Sequence, residues 1–160
     1  MYNEEIMKKY VNHPKCIAIG ECGLDYFRLP EDEDEKIANV EKQKEVFISQ
    51  IEFAKKVKKP LIIHIREASN DSRQILIDYN AKEVGGVLHC YNASEHLLPL
   101  SEHNFYFGIG GVLTFKNAKK LVEVLPKIPK DKLLIETDAP YLTPHPHRGE
   151  RNEPYYTTFV

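Results

Sequence analysis

Several things are scarce in this 160-residue chain, and each shortage excludes something. There are three cysteines, Cys16, Cys22 and Cys90; the number is odd and no two form a Cys-x-x-Cys pair. That pattern predicts free thiols in a reducing cytoplasm rather than a disulfide framework. Excess positive charge is missing: 22 basic residues face 24 acidic ones, a net charge of −2, so no bulk basic field announces a nucleic-acid partner. A few local arginines and lysines can still hold the phosphates of a substrate. No run approaches 18 apolar residues, which predicts no transmembrane helix. The opening Met1-Tyr2-Asn3-Glu4-Glu5 shows no basic segment leading into an apolar one, so no signal peptide is expected. Internal repeats and low-complexity tracts are also missing. With 42% apolar and 29% charged residues, the composition is that of a soluble globular protein, and the length suits one domain.

What is present is an alternation of apolar runs and amphipathic stretches. Lys15 to Glu21, Pro60 to Ile65, Gly85 to Cys90, Phe105 to Ile109 and Lys132 to Glu136 are short, apolar and rich in branched residues. Such near-continuous runs suit strands of a parallel sheet covered on both faces. Between the first two lies Lys36 to Lys58, whose apolar positions fit a long helix with one buried stripe. The acidic run Glu31 to Glu35 before it suits the positive end of a helix dipole. Shorter helices are predicted over Ser72 to Tyr79, Glu95 to Leu100 and Asn117 to Leu125. A βαβαβαβαβ order with right-handed crossovers implies a parallel α/β sheet or barrel.

The metal-capable residues fall in a pattern. Glu21, His64, His89 and Asp138 each stand at or just past the predicted C-terminal end of a strand, the end where α/β folds gather their chemistry. Two imidazoles and two carboxylates make a plausible divalent-metal set. A single buried histidine would be read as a hydrogen-bonded core residue instead. A carboxylate at the end of an apolar strand, however, needs a partner, and a dication supplies one.

These residues carry a resemblance. Ile19-Gly20-Glu21-Cys22-Gly23-Leu24-Asp25-Tyr26, Pro60 through Ala68 (PLIIHIREA), Gly86-Val87-Leu88-His89-Cys90-Tyr91 and Glu136-Thr137-Asp138-Ala139-Pro140-Tyr141-Leu142 resemble, in order, motifs of the TatD family of metal-dependent deoxyribonucleases. Thr143-Pro144 with Arg148 through Pro154 continues the match. The resemblance implies a (β/α)₈ barrel of the metal-dependent hydrolase superfamily, with the strands here corresponding to roughly the fourth to eighth. It implies two divalent cations (Mg²⁺, Mn²⁺ or Zn²⁺) per complete site. Glu21 would bridge them, His64 and His89 would ligate one, and Asp138 would ligate the other and orient the nucleophilic water. The implied reaction is cleavage of DNA phosphodiester bonds, as a 3′–5′ exonuclease or deoxyribonuclease.

The departures from that pattern shape further expectations. A (β/α)₈ barrel takes about 200 residues at least and about 250 typically. The family's first strand, with its His-x-His ligands, has no match here, and neither do the second and third strands or the last helices. His145-Pro146-His147 lies in the loop after the last strand and cannot stand in for that pair. Residues 1–160 therefore read as a single incomplete hydrolase domain, truncated at both ends, a poor nuclease alone and prone to self-association through unpaired sheet edges. Two alternatives stay open: another ester or amide substrate on the same scaffold, or a non-catalytic fragment.

Other residues divide between function and packing. Arg66, two positions past His64, suits a phosphate or a salt bridge to Glu67 or Asp71. Arg148 and Asn152 match the family's phosphate-contacting loop. Gly23 suits a tight turn, and Tyr26 suits packing as readily as substrate contact. Gly108, Gly110 and Gly111 carry little phosphate-binding weight without a helix directly after them. Lys116, Lys119 and Lys120 read as a solvated face, and Cys22 and Cys90 as small packing groups.

Overall fold

The computed structural model describes residues 2–160, which fall into two compact units, one ending at Gly86 and the other Val87–Val160. The first unit contains α1 (Glu4–Tyr10), β1 (Ile19–Asp25), α2 (Glu33–Val57), β2 (Leu61–Arg66) and α3 (Ser69–Asp78). The acidic run forms the entry of α2 itself. Asp32 caps the helix by accepting from the Glu35 amide at 3.0 Å, and Glu33, Asp34 and Glu35 make its first turn. The helix ends at Lys58, in the left-handed region at φ 55°. Its buried stripe is Phe47, Ile51, Phe53 and Ala54.

Strands β1 and β2 pair in parallel, Ile19 beside Leu61, Gly23 beside His64 and Asp25 beside Arg66, with an irregularity between Ile19 and Cys22. In β2, Leu61, Ile63 and Ile65 are buried while Ile62 and Arg66 are exposed. The strand therefore alternates where the sequence predicted burial on both faces. Gly23 is not in a turn. It sits inside β1 at φ 129°, where an added Cβ would lie 2.0 Å from the His64 carbonyl oxygen. Only a residue without a side chain lets the strands approach so closely. Asp25 is also tied to α2: its amide donates to Gln43 Oε1 and its carbonyl accepts from Gln43 Nε2, both at 2.9 Å.

Strand β3 (Gly86–Leu88) begins beside β2, where the Leu61 amide donates to the Gly85 carbonyl at 2.9 Å. The second unit continues with a 3₁₀ segment (Glu95–His103), β4 (Phe105–Ile109), α4 (Lys119–Val124) and β5 (Leu133–Ile135). Pro99 inside the 3₁₀ segment lacks the amide a regular α-helix needs, which accounts for its difference from the predicted helix. β4 and β5 are parallel, Phe107 beside Leu133 and Ile109 beside Ile135. Leu88, Leu97, Leu100, Phe105, Phe107 and Val124 are almost wholly buried, and Tyr91 meets Phe107 edge-on with ring centroids 4.9 Å apart. Within each unit the paired strands are parallel and consecutive in the chain, so the α/β class follows as predicted. Among the described residues no helix is long and apolar enough to cross a membrane.

Candidate functional site

In the first unit the register of β1 on β2 sets Glu21 and Asp25 on either side of one imidazole. His64 Nδ1 lies 3.1 Å from Glu21 Oε1, and His64 Nε2 lies 3.1 Å from Asp25 Oδ2. Asp25 is itself held, since its Oδ1 accepts from the Phe27 amide at 2.9 Å. These groups line an open cleft of about 450 Å³, with Gln43, Val46 and Gln50 of α2 on its other side. Cys22 also borders this cleft. Its thiol is buried against the Ile62 carbonyl, and burial, with a smaller contribution from Glu21, pushes its pKa up to about 12. It packs, as predicted.

Arg66 does not pair with Asp71. Its guanidinium lies over the Phe27 ring, 3.5 Å from the centroid. Asp71 instead takes Lys44 at 2.9 Å and the Tyr26 hydroxyl at 2.9 Å. The Lys44 contact holds the Asp71 carboxyl below its ordinary range, while burial, and then Asp71, push the Tyr26 phenol up. Tyr26 thus acts as a brace.

The second unit contains a matching arrangement. His89 follows β3 directly. Its Nδ1 lies 2.9 Å from Glu136 Oε2 and its Nε2 lies 3.3 Å from Asp138 Oδ1. Glu136 Oε1 also accepts from the Cys90 amide at 2.6 Å. Space for this carboxylate exists because position 108 on β4 is glycine; a Cβ there would sit 2.6 Å from Glu136 Oε2. The glycines of the 108–111 stretch therefore make room, and Gly111 in the same way lies against the Leu142 carbonyl.

The loop after β5 is tied to itself. Arg148 donates from Nη1 to the Thr143 carbonyl at 2.9 Å and lies over the Phe115 ring, 3.9 Å from its centroid. Asn152 is 3% exposed. Its Nδ2 donates to Thr137 Oγ1 at 3.0 Å and to the Tyr141 carbonyl at 2.5 Å, and its Oδ1 accepts from the Glu153 amide at 2.9 Å. Asn152 is thus a clip within the loop rather than a group presented to solvent. His147 stacks on Tyr156, with centroids 4.4 Å apart and planes 6° from parallel, and approaches Glu150 at 3.2 Å.

Two of the four predicted ligands sit differently from the sequence expectation. Glu21 and His64 lie inside β1 and β2, not at their ends, because β1 runs on through Gly23 to Asp25 and β2 runs on to Arg66. His89 and Asp138 lie beyond their strands, as predicted. The structure joins Glu21 to His64, and His89 to Asp138. An imidazole nitrogen beside a carboxylate oxygen is donor chemistry that suits Zn²⁺ or Mn²⁺. Among the described residues, however, no group of three or more His, Cys, Asp and Glu side chains stands ready to hold a metal ion. Sequence reasoning missed Glu136 and the role of Asp25. The available signal for Glu136 was an acid two residues before Asp138, opposite a glycine on the adjacent strand.

The family described as TatD related DNase matches residues 1–160. A Bacillus subtilis protein named uncharacterized metal-dependent hydrolase YabD is 48% identical over 157 residues, covering 96% of this chain and 58% of that protein. The Escherichia coli protein named 3′-5′ ssDNA/RNA exonuclease TatD is 37% identical over 164 residues, covering 98% of this chain and 60% of that protein. Among solved structures, the TatD homologue YjjV of Escherichia coli superposes with a TM-score of 0.82 at 27% identity, covering 98% of this chain and 57% of that one. The chain spans somewhat more than half the length of these relatives.

Proposed function

This chain belongs to the TatD family of metal-dependent hydrolases, and on that premise we propose that it serves metal-dependent cleavage of phosphodiester bonds in DNA, as an incomplete TatD-type hydrolase domain over residues 1–160. The observation that supports this most is the pairing of each histidine with a carboxylate of the expected ligand set, Glu21 on His64 and Asp138 on His89. In this reading Glu21, His64, His89 and Asp138 supply the donors for divalent cations, Mg²⁺, Mn²⁺ or Zn²⁺, two in a complete site. A bound cation would supply polarisation of a phosphoryl oxygen and a more acidic water. Asp138 would orient a water and take its proton at a carboxylate oxygen, and Glu21 would be a further ligand. Arg66 and Arg148, each laid on an aromatic ring, offer guanidinium edges to flanking phosphates, and Asn152 serves by holding the loop that carries Arg148.

The test is incubation of the chain with Mn²⁺ and end-labelled single-stranded or duplex DNA. Metal-dependent cleavage that falls about 10- to 100-fold in His89→Ala supports the reading. Cleavage indifferent to metal, or unchanged in His89→Ala, overturns it. Exposed Ile17 near β1, with Leu134 and Ile135 on β5, further supports self-association through the edge strands.

A further inference from the structure

A histidine can offer a lone pair to a cation from only one ring nitrogen, and the other must then carry the proton. What decides between the two is the hydrogen bond made by the non-ligating nitrogen. His89 has a carboxylate at each: Glu136 Oε2 2.9 Å from Nδ1 and Asp138 Oδ1 3.3 Å from Nε2. The two carboxylates are not equivalent. Glu136 is the closer, and its side chain is 19% exposed against 37% for Asp138, so it is less screened by water. It is also fixed at its other oxygen, where the Cys90 amide donates at 2.6 Å. Its position depends on Gly108, since any side chain there would meet its carboxylate.

We propose that Glu136 is the positioning residue of His89: its Oε2 holds the ring proton on Nδ1 and so keeps the Nε2 lone pair turned toward Asp138. The inference rests on the metal-binding reading above for its purpose, while its immediate consequence, the tautomer of His89, is a property of the metal-free chain. Glu136 is not a ligand in this scheme and touches no reacting atom. It acts through the ring it orients, and through the Cys90 amide it fixes the backbone from which that ring projects.

The simpler competitor is that Glu136 only ties down the turn after β3 through Cys90, its contact with His89 being incidental. Glu136→Gln separates the two. Glutamine has one oxygen where glutamate has two. If that oxygen keeps the Cys90 amide, the side-chain NH₂ faces His89 Nδ1 and turns it into an acceptor, which drives the ring proton to Nε2. If the amide flips, an NH₂ group opposes the Cys90 N–H. The substitution thus keeps the size and the Cys90 tie while reversing the instruction to the imidazole.

The experiment is long-range ¹H–¹⁵N correlation of the metal-free chain at about pH 9, well above the titration of an ordinary imidazole, followed by calorimetric titration with Zn²⁺. For the wild-type chain the expected result is His89 protonated at Nδ1. For Glu136→Gln it is His89 protonated at Nε2, with zinc affinity lowered about 10- to 100-fold. Gly108→Ala, which displaces the Glu136 carboxylate without removing it, is expected to mix the tautomers. The wild-type spectrum needs no variant to fold, and His89 protonated at Nε2 there overturns the proposal. So does a Glu136→Gln chain with unchanged tautomer and unchanged zinc affinity. Expected tautomers with no zinc binding in the wild type would leave the positioning role standing and overturn the metal-binding reading instead.

Discussion

Substitution of Gly23 by alanine tests how β1 and β2 come to hold His64. Two costs add. The first is conformational: at φ 129° an alanine occupies a region reserved for glycine, at about 1–3 kcal/mol. The second is steric. The new methyl would lie 2.0 Å from the His64 carbonyl oxygen, a contact relieved only by moving the strands apart. The parallel ladder from Cys22 to Asp25 would then stretch, with each lost hydrogen bond worth about 1 kcal/mol. Together these come to about 3–5 kcal/mol. For a domain of this length about 2–4 °C is lost per kcal/mol, so the melting temperature should fall by about 10 °C. Gly149 provides the control. It too has a positive φ, 94°, but nothing lies within 4 Å of a Cβ built there. Gly149→Ala therefore carries only the conformational cost and should move the transition about half as far. Thermal unfolding followed by circular dichroism reads both. If Gly23→Ala melts no lower than Gly149→Ala, the close approach of the strands is not what requires glycine, and the account of how His64 is placed fails.

Phe107→Ala empties a fully buried position against Tyr91 and should cost about 3–5 kcal/mol in urea unfolding; a cost below about 1 kcal/mol would contradict the packing described. The raised pKa of Cys22 should keep its thiol unreactive toward iodoacetamide at pH 8 until the chain is unfolded, and labelling at the unfolded rate would refute this. Because the folded thiol titrates near 12 and an unperturbed one near 9.0, its contribution to stability is complete below pH 9 and is lost as the pH rises toward 12. Sedimentation velocity should show species heavier than the 18.5 kDa monomer, increasing with concentration. A single monomeric boundary across the range would exclude edge-to-edge association.

Much of the fold was legible because burial writes itself into composition. The apolar runs at Leu61 to Ile65, Phe105 to Ile109 and Leu133 to Ile135 are strands, and the stripe of Phe47, Ile51 and Ala54 marks a helix. The error in β1 has a definite cause. Glycine is ambiguous in a sequence, since the same lack of a side chain serves a turn or a close strand contact, and Gly23 serves the latter. Glu21, His64, His89 and Asp138 were visible as chemically capable residues in a recognisable order. Asp25 was not, because a linear sequence does not say which ring nitrogen an acid lies against, and Glu136 offered only the weaker signal of an acid two residues before Asp138. Asn152 shows the converse: its place in a familiar motif suggested contact with substrate, while its buried amide closes a loop.

The clasp between Gln43 and Asp25 has a consequence for any strand that might add to the outer side of β1. A side-chain amide carries a donor and an acceptor with the spacing of a peptide group, and at Asp25 it answers the backbone N–H and carbonyl as a neighbouring strand would. One glutamine thus imitates a single rung of β-sheet. An incoming strand must end its ladder before Asp25 or evict Gln43, so the helix that packs on β1 also limits how far the sheet can be extended past it.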